Sequence, residues 1–306
     1  MATAYGTAPP NQFITPIQAL FTSTHDSEVL ASACSKTAAD LVSIVTASAN
    51  PTDELWQLWD AFFLGAIASE PPYTPQFAFL DALRAQPPTQ PAKVRAGSLQ
   101  EIQLNGYTES DGQLHWSKLP GFGNQCGDVY DALEAFRDWD RPSGDPTRNG
   151  LGISDSEYFL RFCRFSAALL KSTHGESEVY PMQVFYTTRN VLETKGPKPK
   201  KEEAHRLTAE RLWSLDICAA TTWLIDGARV LWEADQAFLR EHYGKSLNFK
   251  TELWPREDGL TAERWQLWEE RLRALSTEDD ILDEKVRAGA IRAADEIKSI
   301  LEEKLG

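Results

Sequence analysis

The sequence predicts an all-α fold, a single large bundle of about ten helices. Three observations lead there. Apolar residues recur at helical spacing in one segment after another. No run alternates apolar with polar residues long enough to make a convincing strand. Clusters of Pro, Gly, Ser and Asp separate the periodic stretches. No segment repeats at a fixed period, which removes solenoids and propellers.

The elements follow in order. Residues 1–11 are expected to be a disordered terminus, and residues 12–306 one α-helical domain. A short helix is expected around Pro16–Phe21, then Ser27–Ala49 with a break near Ser35. Thr52 or Asp53 can cap the next helix, whose apolar face is Leu55, Leu58, Trp59, Phe62 and Phe63. Gln76–Ala85 is a short amphipathic helix, and Pro87–Pro91 a stiff connector. Residues 92–126 are mixed, and Trp116, Leu119 and Phe122 around Pro120-Gly121 read as an anchored loop. Asp128–Asp138 is helical, and residues 141–152 are a surface loop. Ser154 with Glu157 forms a capping box for Ser156–Lys171. Met182–Lys195 ends at a basic Gly/Pro loop. A loop follows Glu241 as far as Gly259, then come Thr261–Leu275 and a last helix from Ser276.

The stretch 205–234, HRLTAERLWSLDICAATTWLIDGARVLWEA, is the expected centre. Leu212, Leu215, Ala219, Trp223 and Val230 mark one apolar face; Leu207, Leu224, Ile225 and Leu231 add a second. A helix apolar nearly all round lies inside a bundle. Asp216 and Asp226 interrupt that surface, and each needs a cation, a metal or a proton.

Hydrophobic residues make up 42% of the chain, enough for a sizeable core. With 31 basic and 45 acidic residues the formal charge is −14, which disfavours nucleic acid and anionic membrane as partners. Cys34, Cys126, Cys163 and Cys218 lie far apart, without zinc or disulfide spacing, and fit a reducing compartment. No secretory signal is visible, and the longest apolar run, Ala61–Ala68, is too short to span a bilayer. A cytoplasmic protein is expected. Ten Trp, 14 Phe and 8 Tyr either fill the core or line a pocket for an apolar or cationic guest.

Several charged groups are candidates for chemistry. Asp279, Asp280 and Asp283 spell DDxxD, a hard-oxygen set suited to magnesium and a diphosphate. The same acids suit the first turn of a helix capped by Thr277. Lys285 competes with them, because Asp283 falls about 160° and Asp279 about 120° away around the helix. Asp128 and Asp131 share a face and could hold a metal with Asp216 as third ligand; otherwise Asp128 caps and Asp131 is solvated. Arg161, Arg164 and Arg189 sit on apolar helices and suit either a phosphate or a buried carboxylate such as Glu193, Asp216 or Asp226. Asp226 with Arg229 is an expected pair. No HExxH or GxSxG occurs, so zinc hydrolysis and serine triads lack support.

LHWSKLPGFG (114–123), TTRNVLE (187–193), AATTWLIDGARVLW (219–232) and the Trp265–Trp268 helix with acidic 278–284 together resemble a fungal family of helical proteins of unknown function. Asp226 departs from a position where histidine is common, and Asn124–Asp128 from a more basic segment. That family is in turn similar to atypical humulene synthases of fungal tropolone-sesquiterpenoid pathways. The resemblance implies a class I terpene-synthase-like bundle that cyclises farnesyl diphosphate with Mg2+. It implies a diphosphate-binding lysine, matched by Lys285, and a product-steering apolar residue one turn earlier, matched by Ile281. Arg189 and Arg161 would join Lys285 on the diphosphate, with Asp128, Asp131 and Asp216 on the metal. The alternative is a non-catalytic α-helical binding or interaction protein.

Overall fold

The computed structural model describes residues 11–23, 26–139, 153–174, 179, 181–198, 203–277 and 282–303. Residues 1–10, the whole loop at 141–152, and Asp279, Asp280 and Ile281 lie outside the described residues. Among the described residues there are twelve α-helices, one short 3-10 turn and no strand. The chain divides into two compact units, Met1–Ala135 with Pro142–Ile153, and Phe136–Arg141 with Ser154–Gly306.

The first unit holds α1 (Ile14–Thr22), α2 (Ser27–Ala47), α3 (Pro51–Ala68), α4 (Thr74–Arg84), α5 (Leu99–Asn105) and nearly all of α6 (Phe122–Phe136). Aromatic rings fill its core: Phe21, Trp59, Phe63, Phe79 and Phe122 surround Phe62, mostly edge to face. Gly65 on α3 admits this packing, since a Cβ there would lie 2.8 Å from the Phe21 ring. The anchored loop is present as a 3-10 turn, Trp116–Lys118, followed by Leu119 and Gly121 at positive φ. The Trp59 indole donates to the Pro120 carbonyl at 2.8 Å and the Trp116 indole to Thr89 Oγ1 at 2.8 Å, fixing that turn beneath α3.

Helix α2 is uninterrupted at Ser35. Leu30, Cys34, Ala38, Leu41 and Val45 form its buried face, turned toward α3 and α4. It is the one described helix long and apolar enough to cross a membrane, a test that core helices also pass.

The second unit is built on α9 (Ala209–Glu233), flanked by α7 (Asp155–Ser172), α8 (Met182–Leu192) and α12 (Glu284–Glu303); α10 (Gln236–Leu247) and α11 (Ala262–Leu275) complete it. Thr208 caps α9 by accepting from Arg211 N, and Ser154 caps α7 by accepting from Glu157 N. Gly227 of α9 meets two neighbours at once, because a Cβ there would lie 2.6 Å from Val184 Cγ2 and 3.0 Å from Leu170 Cδ2.

Four boundaries differ from those expected. Helix α5 lies inside the stretch read as irregular, and α6 begins at Phe122, ahead of the expected Asp128. Asp128 therefore sits within α6 and does not cap it. The loop expected after Glu241 starts later, because Asp235, its carboxylate accepting from Ala237 N and Phe238 N, caps a separate α10 that runs to Leu247. Asp283 caps α12 by accepting from Val286 N at 2.9 Å, so that helix starts eight residues beyond Ser276, and Thr277 belongs to the end of α11.

Candidate functional site

The two carboxylates of α9 are both satisfied within the second unit. Asp216 is ion-paired with Arg137, whose guanidinium also lies 5.1 Å from the centre of the Phe159 ring. Asp226 takes Lys171 Nζ at 2.9 Å. The expected Asp226–Arg229 pair is not formed; Arg229 instead forks onto Glu303 at 2.7 and 2.9 Å, on the opposite end of α12 from Lys285.

The cationic candidates are likewise engaged or exposed. Arg161 Nε and Arg164 Nη2 converge on Glu157 Oε1 at 3.1 and 2.9 Å, two turns of α7 gathered by one carboxylate. Arg189 donates to the Ser246 carbonyl at 3.1 Å and lies against the rings of Phe185, Tyr186 and Phe249; burial depresses its pKa. Lys285 is exposed in the first turn of α12. It nonetheless shares an environment with α7, for the half-buried Cys218 thiol feels both Lys285 and Arg164. Burial pushes that thiol up, Arg164 and Lys285 pull it down, and Asp283 and Glu157 oppose them.

The carboxylates offered for magnesium are divided between the two units. Asp128 and Asp131 are exposed on α6 in the first unit, whereas Asp216 belongs to the second and is held by Arg137. Among the described residues no group of three or more His, Cys, Asp or Glu side chains forms a metal cage. Asp128 has a different neighbour. Asp60, half-buried on α3, accepts from the Gln125 amide of α6. Burial raises its pKa to about 6 against the opposing Gln125 hydrogen bond, and the Asp128 charge adds to the rise. Gln125 is buried, and its Oε1 has no hydrogen-bond partner.

The strongest buried polar assembly was not foreseen. Glu193 and Arg264 are both fully buried, joined at 2.6 and 2.9 Å. Trp268 Nε1 and Thr251 Oγ1 also donate to the Glu193 carboxylate, and Arg264 Nη1 donates to the carbonyls of Leu247 and Gly259. In the sequence Glu193 is one of three carboxylates open to Arg161, Arg164 and Arg189, with a phosphate as the other option. The available signal was that Arg264 shares the inward face of Trp268 and Leu275, at i+4 and i+11. Every acceptor being occupied, this is a structural clamp.

A cavity of about 350 Å³ opens in the second unit where α9 ends, α10 begins and α8 starts. Its walls include Met182, Val230, Phe238 and Tyr243, with Glu233, Asp235 and His174 at polar points. Phe238 stacks on His242 at 4.1 Å, yet leaves 47% of its surface to solvent. No Lys or Arg stands among the described lining residues.

A family model described as "Protein of unknown function (DUF3632)" matches residues 59–272, most of the chain and parts of both units. No curated protein and no solved structure matches.

Proposed function

Because the chain belongs to the DUF3632 family, whose description names no activity, we propose from the geometry that it is a non-catalytic α-helical binding protein with its ligand seat in the second unit's cavity. One observation carries this. Asp216 and Asp226 are taken up by Arg137 and Lys171, while the cavity lining holds Glu233, 3.7 Å from Arg229, and the α10 cap Asp235 beside aromatic and aliphatic walls. An amine with an apolar body suits that lining: carboxylate and ring both attract the cation, each ring contributing roughly 0.5–1 kcal/mol at an exposed site. Four free cysteines support a cytoplasmic setting. Thermal shift against a panel of alkylamines and matching alkylcarboxylates is the test. Stabilisation by amines, lost in Phe238→Ala and reduced in Glu233→Gln, supports the proposal; no shift with any compound removes it.

The convergence of Arg164 and Lys285 on Cys218 favours a second reading, a magnesium-dependent class I-like cyclase acting on an allylic diphosphate such as farnesyl diphosphate. Arg164 in the middle of α7 and Lys285 in the first turn of α12, both acting on Cys218 of α9, would suit a diphosphate. Incubation with farnesyl diphosphate and Mg2+ would then yield a humulene-type hydrocarbon by headspace gas chromatography, lost in Lys285→Ala. Absence of any volatile product from C10–C20 diphosphates retires this reading.

A further inference from the structure

We propose that Arg229 is a positioning residue that sets the ligand affinity of the second unit's cavity, because Glu303 at the end of α12 holds it off the cavity carboxylate Glu233. This rests on the amine-binding reading of that cavity and names the group that tunes it. Arg229 and Glu233 stand four residues apart on α9, the spacing at which opposite charges meet on a helix, and Arg ahead of Glu is the weaker order of such a pair. A stronger competitor intervenes. Both terminal nitrogens of Arg229 fork onto the Glu303 carboxylate at 2.7 and 2.9 Å, while Glu233 is left 3.7 Å from Nη1 and Glu296 3.8 Å from Nε. Two short charge-assisted bonds in parallel outrank a single longer contact.

Packing holds the competitor in place. Helix α12 runs beside α9 in the same direction: a Cβ on Gly289 would lie 3.3 Å from Thr221 Oγ1, and Glu296 and Glu303 flank Arg229 farther along. Ala290, Ala293, Ala294, Ile297 and Ile300 are buried, so the position of Glu303 follows from the seating of the helix. Arg229 stands outside the cavity wall, whereas its neighbours Val230 and Glu233 belong to it. The other ionisable groups among the described lining residues are Asp235, His174 and Tyr243, and none of them is a fixed cation. A guanidinium passed from Glu303 to Glu233 would set a tethered cation where an incoming amine binds, and the two would compete for one carboxylate.

Two measurements on the full chain test this. The side chains of Arg229, Glu233 and Glu303 are 39, 60 and 59% exposed, so their substitution leaves the core intact. Urea midpoints for a double-mutant cycle of Arg229→Gln with Glu233→Gln read the contact without any ligand. Little coupling is expected in the wild-type background and a clear favourable coupling in Glu303→Gln; coupling that does not rise overturns the proposal. Thermal-shift titration with hexylamine is expected to show binding about two- to fivefold weaker in Glu303→Gln, tighter in Arg229→Gln, and indifferent to Glu303→Gln once Arg229→Gln is present. If Glu303→Gln weakens binding equally in the Arg229→Gln background, Glu303 acts through its own field and the proposal is overturned. A wild type that binds no alkylamine removes the ligand reading, and the role in affinity with it, while the urea cycle still decides whether Glu303 keeps Arg229 from Glu233.

Discussion

Glu193 shows at the level of one side chain how this sequence accommodates a charge in its interior. Four donors reach its carboxylate, two of them from Arg264, and no solvent does. Removing one partner leaves the other charged and unsolvated, at a cost of about 3–5 kcal/mol. Arg264→Met is therefore expected to lower the urea midpoint sharply, and Glu193→Gln with Arg264→Met together to cost less than the two single changes summed. Asp60 behaves oppositely. Its folded pKa lies near 6, above the ordinary carboxylate value, so the folded state holds the proton more tightly and Asp60 detracts from stability above that pH. Below the ordinary value the penalty is absent. Melting wild type and Asp60→Asn in parallel across pH 4–8 is expected to show the variant gaining stability relative to wild type as pH rises from about 4, levelling off above about 6. Asp60 was not singled out from sequence because its perturbation comes from burial in the tertiary fold, and its hydrogen-bond partner Gln125 is 65 residues away, so no local pattern reports it.

Individual helices were readable where one physical signal dominated. The centre of the second unit was evident from residues 205–234, whose apolar residues leave only narrow polar gaps, and α9 indeed lies among α7, α8 and α12. Ser154 announced α7 in the same way. The start of α6 was hidden because Gly121, Gly123 and Gly127 resemble a loop. Only Gly121 has positive φ, and the other two lie within the helix. The start of α12 was misplaced because Thr277 with the acids after it suits a cap, and the choice of Asp283 depends on where α11 ends. Gly227 makes an element-scale prediction. In Gly227→Ala the new methyl meets Val184 and Leu170, and overpacking of this kind costs about 1–3 kcal/mol. Adding Val184→Ala should restore part of the loss, measured by chemical denaturation, because it removes the nearer obstacle.

For the molecule as a whole, the excess of acid is the property that reaches farthest. A formal charge of −14 works against compaction through self-repulsion, and moderate salt screens it. The melting temperature is expected to rise between about 10 and 150 mM NaCl, over which the screening length falls from roughly 30 to 8 Å. A fall would mean that the ion pairs, such as Arg229 with Glu303, outweigh the repulsion. Overall charge and helical class were readable from composition and periodicity. The contents of the candidate sites were not, because Glu233, Asp235 and Phe238 acquire a common cavity only when α9 stops at Glu233 and the chain turns into α10.

The Glu193–Arg264 clamp also bears on the order in which the protein is made. The two residues are separated by 71 positions, so a ribosome adding about 5–20 residues per second presents the acid several seconds before its counter-ion. Until then α8 carries an acidic end with nothing to enclose it, and the segment around Thr251 and Trp254 has nowhere to dock. A chain interrupted before Arg264 would be left with this seam open, which makes synthesis of α11 a checkpoint for closing the second unit.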